Sequence, residues 1–222
     1  MDDLRFAAFL LVALVPSLVL HEFAHALAAD RLGDPTPRRW GRLTLNPRPL
    51  IDPFGTLILP GLILVLVASG NFCLLPIFAY AKPMPLDEHH LRNPRRDARV
   101  VTLAGLGANL ALAIAAGSAL RIGWSGDGAI TGDLGLLVYA LFLVNVYMLV
   151  FQLMPVPGLD GAKLLAPALP PRAREVYTNL DQYLVLFILV VFFLLSGPFL
   201  AIVRALAEAL TQLIVGTDAI IC

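Results

Sequence analysis

The sequence predicts an all-α integral membrane protein, a multi-span helical bundle with short interfacial strands. Three observations predict this class. Of the 222 residues, 59% are hydrophobic and only 14% are charged, whereas soluble domains carry roughly 25% charged residues. The mean hydropathy is +0.81. Several apolar stretches approach or exceed the ~20 residues that a helix needs to cross a bilayer.

We expect about five or six apolar segments, one of them re-entrant, in a single domain over residues 1–222. The formal net charge is zero, and no nucleic-acid partner is expected. Cys73 and Cys222 lie far apart and neither belongs to a CxxC pair, which argues against a disulfide framework or a cysteine metal site. The opening Met1-Asp2-Asp3 is not a basic n-region, so no cleavable signal peptide is expected.

The first predicted helix covers residues 4–29, with Pro16 inside it, where it should kink the helix or loosen the preceding turn. The loop at 30–52 follows and contains five arginines. Because short cytoplasmic loops carry an excess of Lys and Arg, this loop should be cytoplasmic. Within it, Gly41 to Leu45 is interpreted as a short strand.

The next apolar stretch, 53–80, is interrupted by Pro60-Gly61 and by Pro76. A second loop with five basic residues follows at 82–99. A simple span would place the two basic flanks on opposite sides of the membrane, whereas a re-entrant hairpin would keep both cytoplasmic. The Pro and Gly positions favour the hairpin. Asp52 is interpreted as the N-cap of this segment.

Residues 100–122 form the next predicted span, and the loop at 123–133 has two acids and no Lys or Arg. This loop should therefore be extracytoplasmic. Residues 134–154 return through the bilayer. Residues 182–196 and 198–215, separated by Gly197-Pro198, form a closing hairpin or one broken span.

The motif His21-Glu22-Phe23-Ala24-His25 lies inside the first apolar helix. Two histidines four residues apart share one helix face, so both rings can reach one tetrahedral metal, most often zinc. The adjacent Glu22 can act as the base toward water at such a site.

A catalytic zinc site usually takes three protein ligands, and Asp160 is the candidate for the third. It ends an apolar span, in the turn Pro155-Val156-Pro157-Gly158-Leu159-Asp160-Gly161. Broken backbone at membrane depth is tolerated where it lines a cavity, and an intramembrane acid is a functional candidate. His25 and Asp160 should both lie at cytoplasmic ends of helices that run the same way, so they can be neighbours.

At these residues the chain resembles the site-2 proteases, which are intramembrane zinc metalloproteases. The resemblance extends to the Asn145–Gly161 segment and to Leu103-Ala104-Gly105-Leu106-Gly107-Ala108-Asn109, which is similar to a family Ala-Gly-Pro-x-x-Asn segment. The stretches 41–47 and 81–85 look like those of a compact bacterial branch without PDZ or CBS modules.

The resemblance implies one Zn²⁺ held by His21, His25 and Asp160, with Glu22 as the general base. It implies cleavage of transmembrane helices of other membrane proteins, in a bacterial inner membrane, with the site toward the cytoplasm. The oligomeric state stays open, and a homo-oligomer is one option. The residues with substrate-binding or supporting roles are Gln152, Asn145, Asn109, Pro157 and Gly161.

Three positions depart from the family pattern. Gln152 stands where Asn is frequent, which keeps the amide but adds one methylene. Leu106 stands where Pro is usual, and Leu50 stands where the compact branch often has His. None of the three belongs to the expected metal ligands.

Several alternatives remain open at this point. Asn109 and Asn145 can serve as interhelical packing contacts instead of site residues, and Lys163 is interpreted as a cytoplasmic anchor. For the whole chain, the alternatives are a catalytically silent zinc-binding scaffold and a metal-ion transporter. A transporter should show a polar path through the bilayer, whereas polar residues beyond the cytoplasmic third are few, among them Ser17, Thr102 and Ser118.

Overall fold

The computed structural model describes residues 3–61, 80–82, 84–125, 132–186, 190 and 196–216. Within these residues the chain forms seven α-helices: α1 (Asp3–Leu32), α2 (Thr36–Arg39), α3 (Pro94–Ser125), α4 (Gly132–Leu153), α5 (Asp160–Leu165), α6 (Pro171–Asn179) and α7 (Ser196–Val215). Short helical turns lie at Arg48–Leu50, Pro53–Ile58, Glu88–His90, Ala166–Ala168 and Leu180–Tyr183.

Three helices of the described part are long and apolar enough to cross a membrane: Arg5–Leu32, Pro94–Gly123 and Gly132–Leu153. The prediction of an all-helical membrane protein is therefore confirmed, although the larger number of spans is not. The predicted hairpin at 53–80 falls mostly on residues outside the described part, as do the middle of the 123–133 loop and part of 182–196. Helix α1 continues through Pro16.

The predicted strand at Gly41 to Leu45 is wrong. This segment is irregular, with Gly41 at φ 66° and the Thr44 N–H donating to the Arg42 carbonyl at 2.9 Å. A strand requires a neighbour that completes its hydrogen-bond ladder, and no described residue forms a strand here or elsewhere. Local bonds satisfy part of this backbone instead, with the Gly41 and Arg42 N–H groups donating to the carbonyls of Arg38 and Pro37.

Helices α1 and α4 run the same way, and α3 runs against them. Ser17 of α1 bonds Asn145 of α4 at 2.8 Å, while His25, further along α1, lies beside Asp160, just after α4. At the same end of the bundle the Arg92 N–H, just before α3, donates to the Leu32 carbonyl. The predicted parallel arrangement that makes His25 and Asp160 neighbours is thus confirmed.

The core of the bundle is apolar and closely packed along these three helices. Fully buried side chains include Ala113 on α3 and Phe142, Val144 and Val146 on α4. At Gly117 an added Cβ would lie 3.0 Å from the Phe142 ring, so glycine allows α3 and α4 to approach closely. Burial of these side chains fixes the three helices relative to one another, and hence the polar residues at one end.

Candidate metal centre

Three potential ligand atoms lie close together in the protein interior, in the half of the bundle where α1 ends. His21, His25 and Asp160 are 1%, 4% and 2% exposed. The His25 Nε2 atom lies 3.0 Å from the His21 Nε2 atom and 2.9 Å from the Asp160 Oδ2 atom. The His21 Nε2 atom lies 3.3 Å from the same oxygen. The residues that the sequence nominated as ligands are therefore brought together.

The local sequence explains this placement. The two histidines lie one turn apart on α1, because residues at i and i+4 share a helix face. The turn after α4 brings Asp160 to them, and Asp160 begins α5. At Gly161 an added Cβ would lie 2.1 Å from the Leu153 carbonyl oxygen, so only glycine allows α5 to start so close to the end of α4.

The spacing of these atoms fits a tetrahedral zinc ion. Ligand nitrogens and oxygens about 2.0–2.1 Å from zinc lie roughly 3.3 Å apart at tetrahedral angles. The observed separations of 3.0, 2.9 and 3.3 Å are close to this value. Within the part of the chain that the structure describes, the ligand atoms of these three residues lie within 4.8 Å of one another, which is close enough to hold a metal ion.

The proton positions support the same interpretation. The His25 Nδ1 atom lies 2.7 Å from the Val101 carbonyl oxygen. Since a carbonyl only accepts, Nδ1 must carry the proton, and the Nε2 atom turns a bare lone pair toward His21 and Asp160. The buried Asp160 Oδ2 has no hydrogen-bond donor. Lone pairs that face one another in a buried space are what a cation would stabilise.

Gly105 of α3 provides the space for the His25 ring. A Cβ at this position would lie 2.2 to 2.8 Å from three atoms of that ring. Glycine here is thus required by close packing against a candidate ligand. The sequence pointed to this segment through the family resemblance, and the structure supplies the physical reason.

Lys163, interpreted from the sequence as a cytoplasmic anchor, also contacts the candidate ligand Asp160. Its Nζ donates to the Asp160 Oδ1 atom at 2.9 Å. The Lys163 side chain is 51% exposed; partial desolvation would lower its pKa, but the Asp160 carboxylate outweighs this effect and raises that pKa. Burial likewise opposes ionisation of Asp160, yet the neighbouring positive charge of Lys163 helps to hold its pKa well below the usual range. In the sequence, this contact is indicated by the three-residue spacing of the opposite charges of Asp160 and Lys163, which lets them meet on a helix.

A cavity of about 250 Å³ opens onto the three candidate ligands. Glu22, the predicted base, lines this cavity and is 8% exposed. Other polar and apolar side chains complete the wall: Tyr80, Met84, Leu86, Gln152, Lys163, Asp181 and Leu184. The arrangement can therefore hold a peptide segment beside a metal and a carboxylate.

The supporting residues nominated by the sequence separate into two groups. Gln152 is 5% exposed and lines the cavity. Asn109 and Asn145 are both 0% exposed and lie within the bundle, where the Asn145 Nδ2 donates to Ser17 Oγ. Pro157 is buried in the turn before Asp160. The structure thus places Gln152 at the cavity wall and the two asparagines between helices.

Tyr80 and Val101 line the cavity, and the Asp52 N-cap lies next to Tyr80. The Asp52 carboxylate accepts from the N–H groups of Phe54 and Gly55 at 3.0 and 2.7 Å, which confirms the predicted N-cap. Burial and Asp52 raise the pKa of Tyr80 to about 12. The Val101 carbonyl carried no sequence signal, because every residue has one.

Comparison with known proteins identifies clear relatives. YwhC of Bacillus subtilis is 33% identical over 188 residues, which cover 83% of this chain and 80% of the relative. Rip2 of Mycobacterium tuberculosis is 35% identical over 189 residues, 84% of this chain and 68% of the relative. Rip2 of Mycolicibacterium smegmatis is 36% identical over 167 residues, 75% and 60% of the two chains.

All three relatives are named "Putative zinc metalloprotease". No family model matches the chain, and no solved structure matches it. The similarity to these relatives extends over most of the chain, and the zinc chemistry in their names agrees with the grouping of His21, His25 and Asp160 described above.

Proposed function

The chain belongs to the site-2 protease family of zinc metalloproteases, and we propose that it hydrolyses peptide bonds in transmembrane segments of other membrane proteins. One observation carries the proposal. Two buried histidines and a buried aspartate converge beside Glu22 in one cavity, at the end of helices long enough to cross a bilayer.

In this proposal His21 and His25 bind one zinc ion through their Nε2 atoms, and Asp160 binds it through Oδ2. Bound zinc would act as a Lewis acid, which polarises a peptide carbonyl and makes water easier to deprotonate. Lys163 holds the other Asp160 oxygen at 2.9 Å and so keeps the carboxylate ionised and oriented. The Val101 carbonyl fixes the proton of His25 at Nδ1.

Glu22 is the general base. Its carboxylate takes one proton from the attacking water as the new C–O bond forms at the peptide carbonyl carbon. As the C–N bond breaks, the same carboxyl group gives that proton to the leaving amine nitrogen. The burial of Glu22 among cavity residues limits competing exchange of the proton with bulk water.

A substrate helix must unwind before it can react, because its amides are bonded internally. Tyr80 and Ala81 line the cavity, and the segment is held by the Tyr80 and Lys82 N–H groups, which donate to the carbonyls of Gly55 and Leu50. Since backbone groups of an extended segment alternate in direction, an extended conformation here would turn the N–H and carbonyl of Ala81 toward the cavity that this residue lines. An unwound substrate segment can pair with this edge.

The arginine-rich loops support a location of the site at the cytoplasmic face of a bacterial inner membrane. Both the 30–52 loop and the 82–99 loop carry five basic residues, and such loops are retained on the cytoplasmic side. Described residues of both loops lie at the same end of the bundle as His25.

The test compares the full chain and Glu22→Gln, purified in detergent, for zinc content and for cleavage of a panel of single-span helices. We expect about one zinc per chain in both, and a loss of cleavage of roughly 10²–10⁴-fold in Glu22→Gln. The matched control is Glu88→Gln, since Glu88 is exposed and lies outside the cavity wall; it should cut like the wild type.

Equal cleavage by Glu22→Gln would contradict the role of Glu22 as the base. Zinc binding by both proteins without cleavage of any helix in the panel would favour the silent scaffold. The names of the relatives do not favour that alternative.

A further inference from the structure

Three side chains near the centre of the bundle carry buried polar atoms without a hydrogen-bond partner: His21 at Nδ1, Asn109 at both amide atoms, and Asn145 at Oδ1. Unpaired polar groups are costly where no water is available. We propose that Asn109 is the positioning residue for His21. In the structure these atoms are unpaired; a rotation of the Asn109 side chain would let its Oδ1 accept from the His21 Nδ1–H and its Nδ2 donate to the Asn145 Oδ1. The inference rests on the proposed metal site.

His21 needs such an acceptor because of the direction of its other nitrogen. Its Nε2 atom faces His25 Nε2 at 3.0 Å and Asp160 Oδ2 at 3.3 Å. A ligand nitrogen must be bare, so the ring proton has to reside on Nδ1. For His25 the same requirement is met by the Val101 carbonyl at 2.7 Å. The Nδ1 atom of His21 is buried and has no corresponding acceptor among the described residues.

The helix geometry places Asn109 level with His21. Val101, Gly105 and Asn109 follow at intervals of four residues and therefore share one face of α3. Val101 bonds His25, and Gly105 packs against the His25 ring. Because α1 and α3 are antiparallel, one turn onward along α3 corresponds to one turn back along α1, from His25 to His21.

The side-chain direction supports the same pairing. Side chains on a helix lean toward its N-terminus, so the Asn109 side chain leans back toward Gly105 and the histidine rings. Its complete burial, at 0% exposure, excludes bonding to bulk solvent. An asparagine at this position has an acceptor for a ring N–H and two N–H donors of its own.

The donors and acceptors of the three groups match. The Asn145 Nδ2 already donates to Ser17 Oγ and to the Leu141 carbonyl, both at 2.8 Å, which leaves its Oδ1 as the remaining acceptor. The His21 ring supplies one donor, and Asn109 supplies one acceptor and a donor. The resulting chain of hydrogen bonds would link α1, α3 and α4 and fix the tautomer and orientation of the His21 ring.

The test measures the zinc dissociation constant of the full chain in detergent by competition with a chelator, together with the visible spectrum of the Co²⁺ form. Asn109→Leu keeps the size and removes the acceptor. Asn109→Asp keeps the acceptor. The matched control is Thr211→Val, which removes a buried hydroxyl that bonds the Ala207 carbonyl in α7, outside the cavity wall.

We expect Asn109→Leu to weaken zinc binding by about 10–100-fold and to shift the Co²⁺ spectrum. Asn109→Asp should bind zinc at least as tightly as the wild type, because a carboxylate acceptor raises the basicity of a ligand histidine. Thr211→Val should leave the dissociation constant unchanged.

A dissociation constant for folded Asn109→Leu within about two-fold of the wild-type value, below the range typical for a group that orients a ligand, would overturn the inference. If Asn109→Leu does not fold, the zinc affinity of Asn109→Asp provides the test. If Asn109 serves only for packing, a buried carboxylate at this position should weaken zinc binding about ten-fold or more. That result would also overturn the inference. Absence of zinc from the wild type would contradict the proposed function itself, which distinguishes the two failures.

Discussion

Asp34, Asp97 and Asp160 are almost completely buried aspartates of the described residues, and Asp34 and Asp160 differ in how their oxygens are satisfied. Asp34 is 0% exposed, and each of its oxygens accepts a backbone N–H: Thr36 donates to one and Asp87 to the other, both at 2.9 Å. Asp160 is 2% exposed. Lys163 binds its Oδ1 atom, whereas its Oδ2 atom has no donor and faces two histidine nitrogens.

The difference separates a structural clamp from a candidate ligand. Asp34 ties the chain after α1 to the segment before α3, and its hydrogen bonds offset the cost of burying the charge. The Asp160 Oδ2 atom has no hydrogen-bond donor and lies next to the His25 Nε2 atom. This nitrogen carries no proton in the tautomer that the Val101 carbonyl fixes. A buried carboxylate therefore indicates a metal site when one oxygen lacks a donor, and burial alone does not.

Replacement of Asp160 by asparagine should weaken zinc binding, whereas replacement of Asp34 should lower stability and leave zinc binding unchanged. Asp160→Asn removes an anionic ligand, so we expect zinc affinity to fall by more than the roughly 100-fold typical for loss of a group that merely orients a ligand. Asp34→Asn should leave zinc affinity unchanged. The measurement is chelator competition on both variants. Equal zinc affinity in Asp160→Asn and the wild type would refute the distinction between the two carboxylates.

A change on α3 tests whether the space around His25 is required. Gly105→Ala places a Cβ 2.2 to 2.8 Å from the His25 ring, so the ring must move away from the other ligands. We expect zinc affinity to fall by about 10–100-fold, as for loss of a group that orients a ligand. Gly107→Ala is the matched control, because a Cβ there meets nothing within 4 Å. Equal zinc affinity in the two variants would show that the ring has room to spare.

The smallest effect concerns the Asp34 clamp and its pH dependence. Burial would raise the pKa of Asp34, but hydrogen bonds from Thr36 and Asp87 outweigh it and keep that pKa below the ordinary 3.8. A depressed folded-state pKa stabilises the protein above the unfolded-state pKa, and this contribution is lost as the pH falls through the folded-state value.

Asp34→Asn should therefore lower the free energy of unfolding by about 1–3 kcal/mol at neutral pH, with a smaller difference from the wild type below pH ~4. Denaturant unfolding in detergent at both pH values provides the measurement. A difference that stays constant down to pH ~3 would exclude ionised Asp34 as the stabilising group.

The grouping of the three candidate ligands could be predicted from helical spacing and from the charge pattern of the loops. Helical spacing puts His21 and His25 on one face, and the charge pattern of the loops predicts that the helices before His25 and Asp160 run the same way. Long-range packing could not be predicted in this manner. Asp34 gave only the local signal of an Asx turn before Thr36, and its partner Asp87 lies 53 residues away.

Other features escaped prediction for related reasons. The strand at Gly41 to Leu45 was inferred without a pairing partner, and the backbone formed a turn instead. Helix α3 begins at Pro94, earlier than residue 100, because proline is favoured in a first helical turn and the basic residues that follow are compatible with a helix. The contact of Lys163 with Asp160 depends on helix α5 starting at Asp160. This start was not predicted from the sequence, because a turn with two prolines precedes it.

The most direct test of the central claim is X-ray absorption at the zinc edge on the purified full chain, combined with its zinc content. The structure predicts one zinc per chain, with two imidazole nitrogens and carboxylate oxygen at about 2.0–2.2 Å. The imidazole contribution should be lost when His21 and His25 are both replaced. A chain without zinc, or a zinc whose imidazole ligands persist in that double variant, would contradict the assignment of His21, His25 and Asp160.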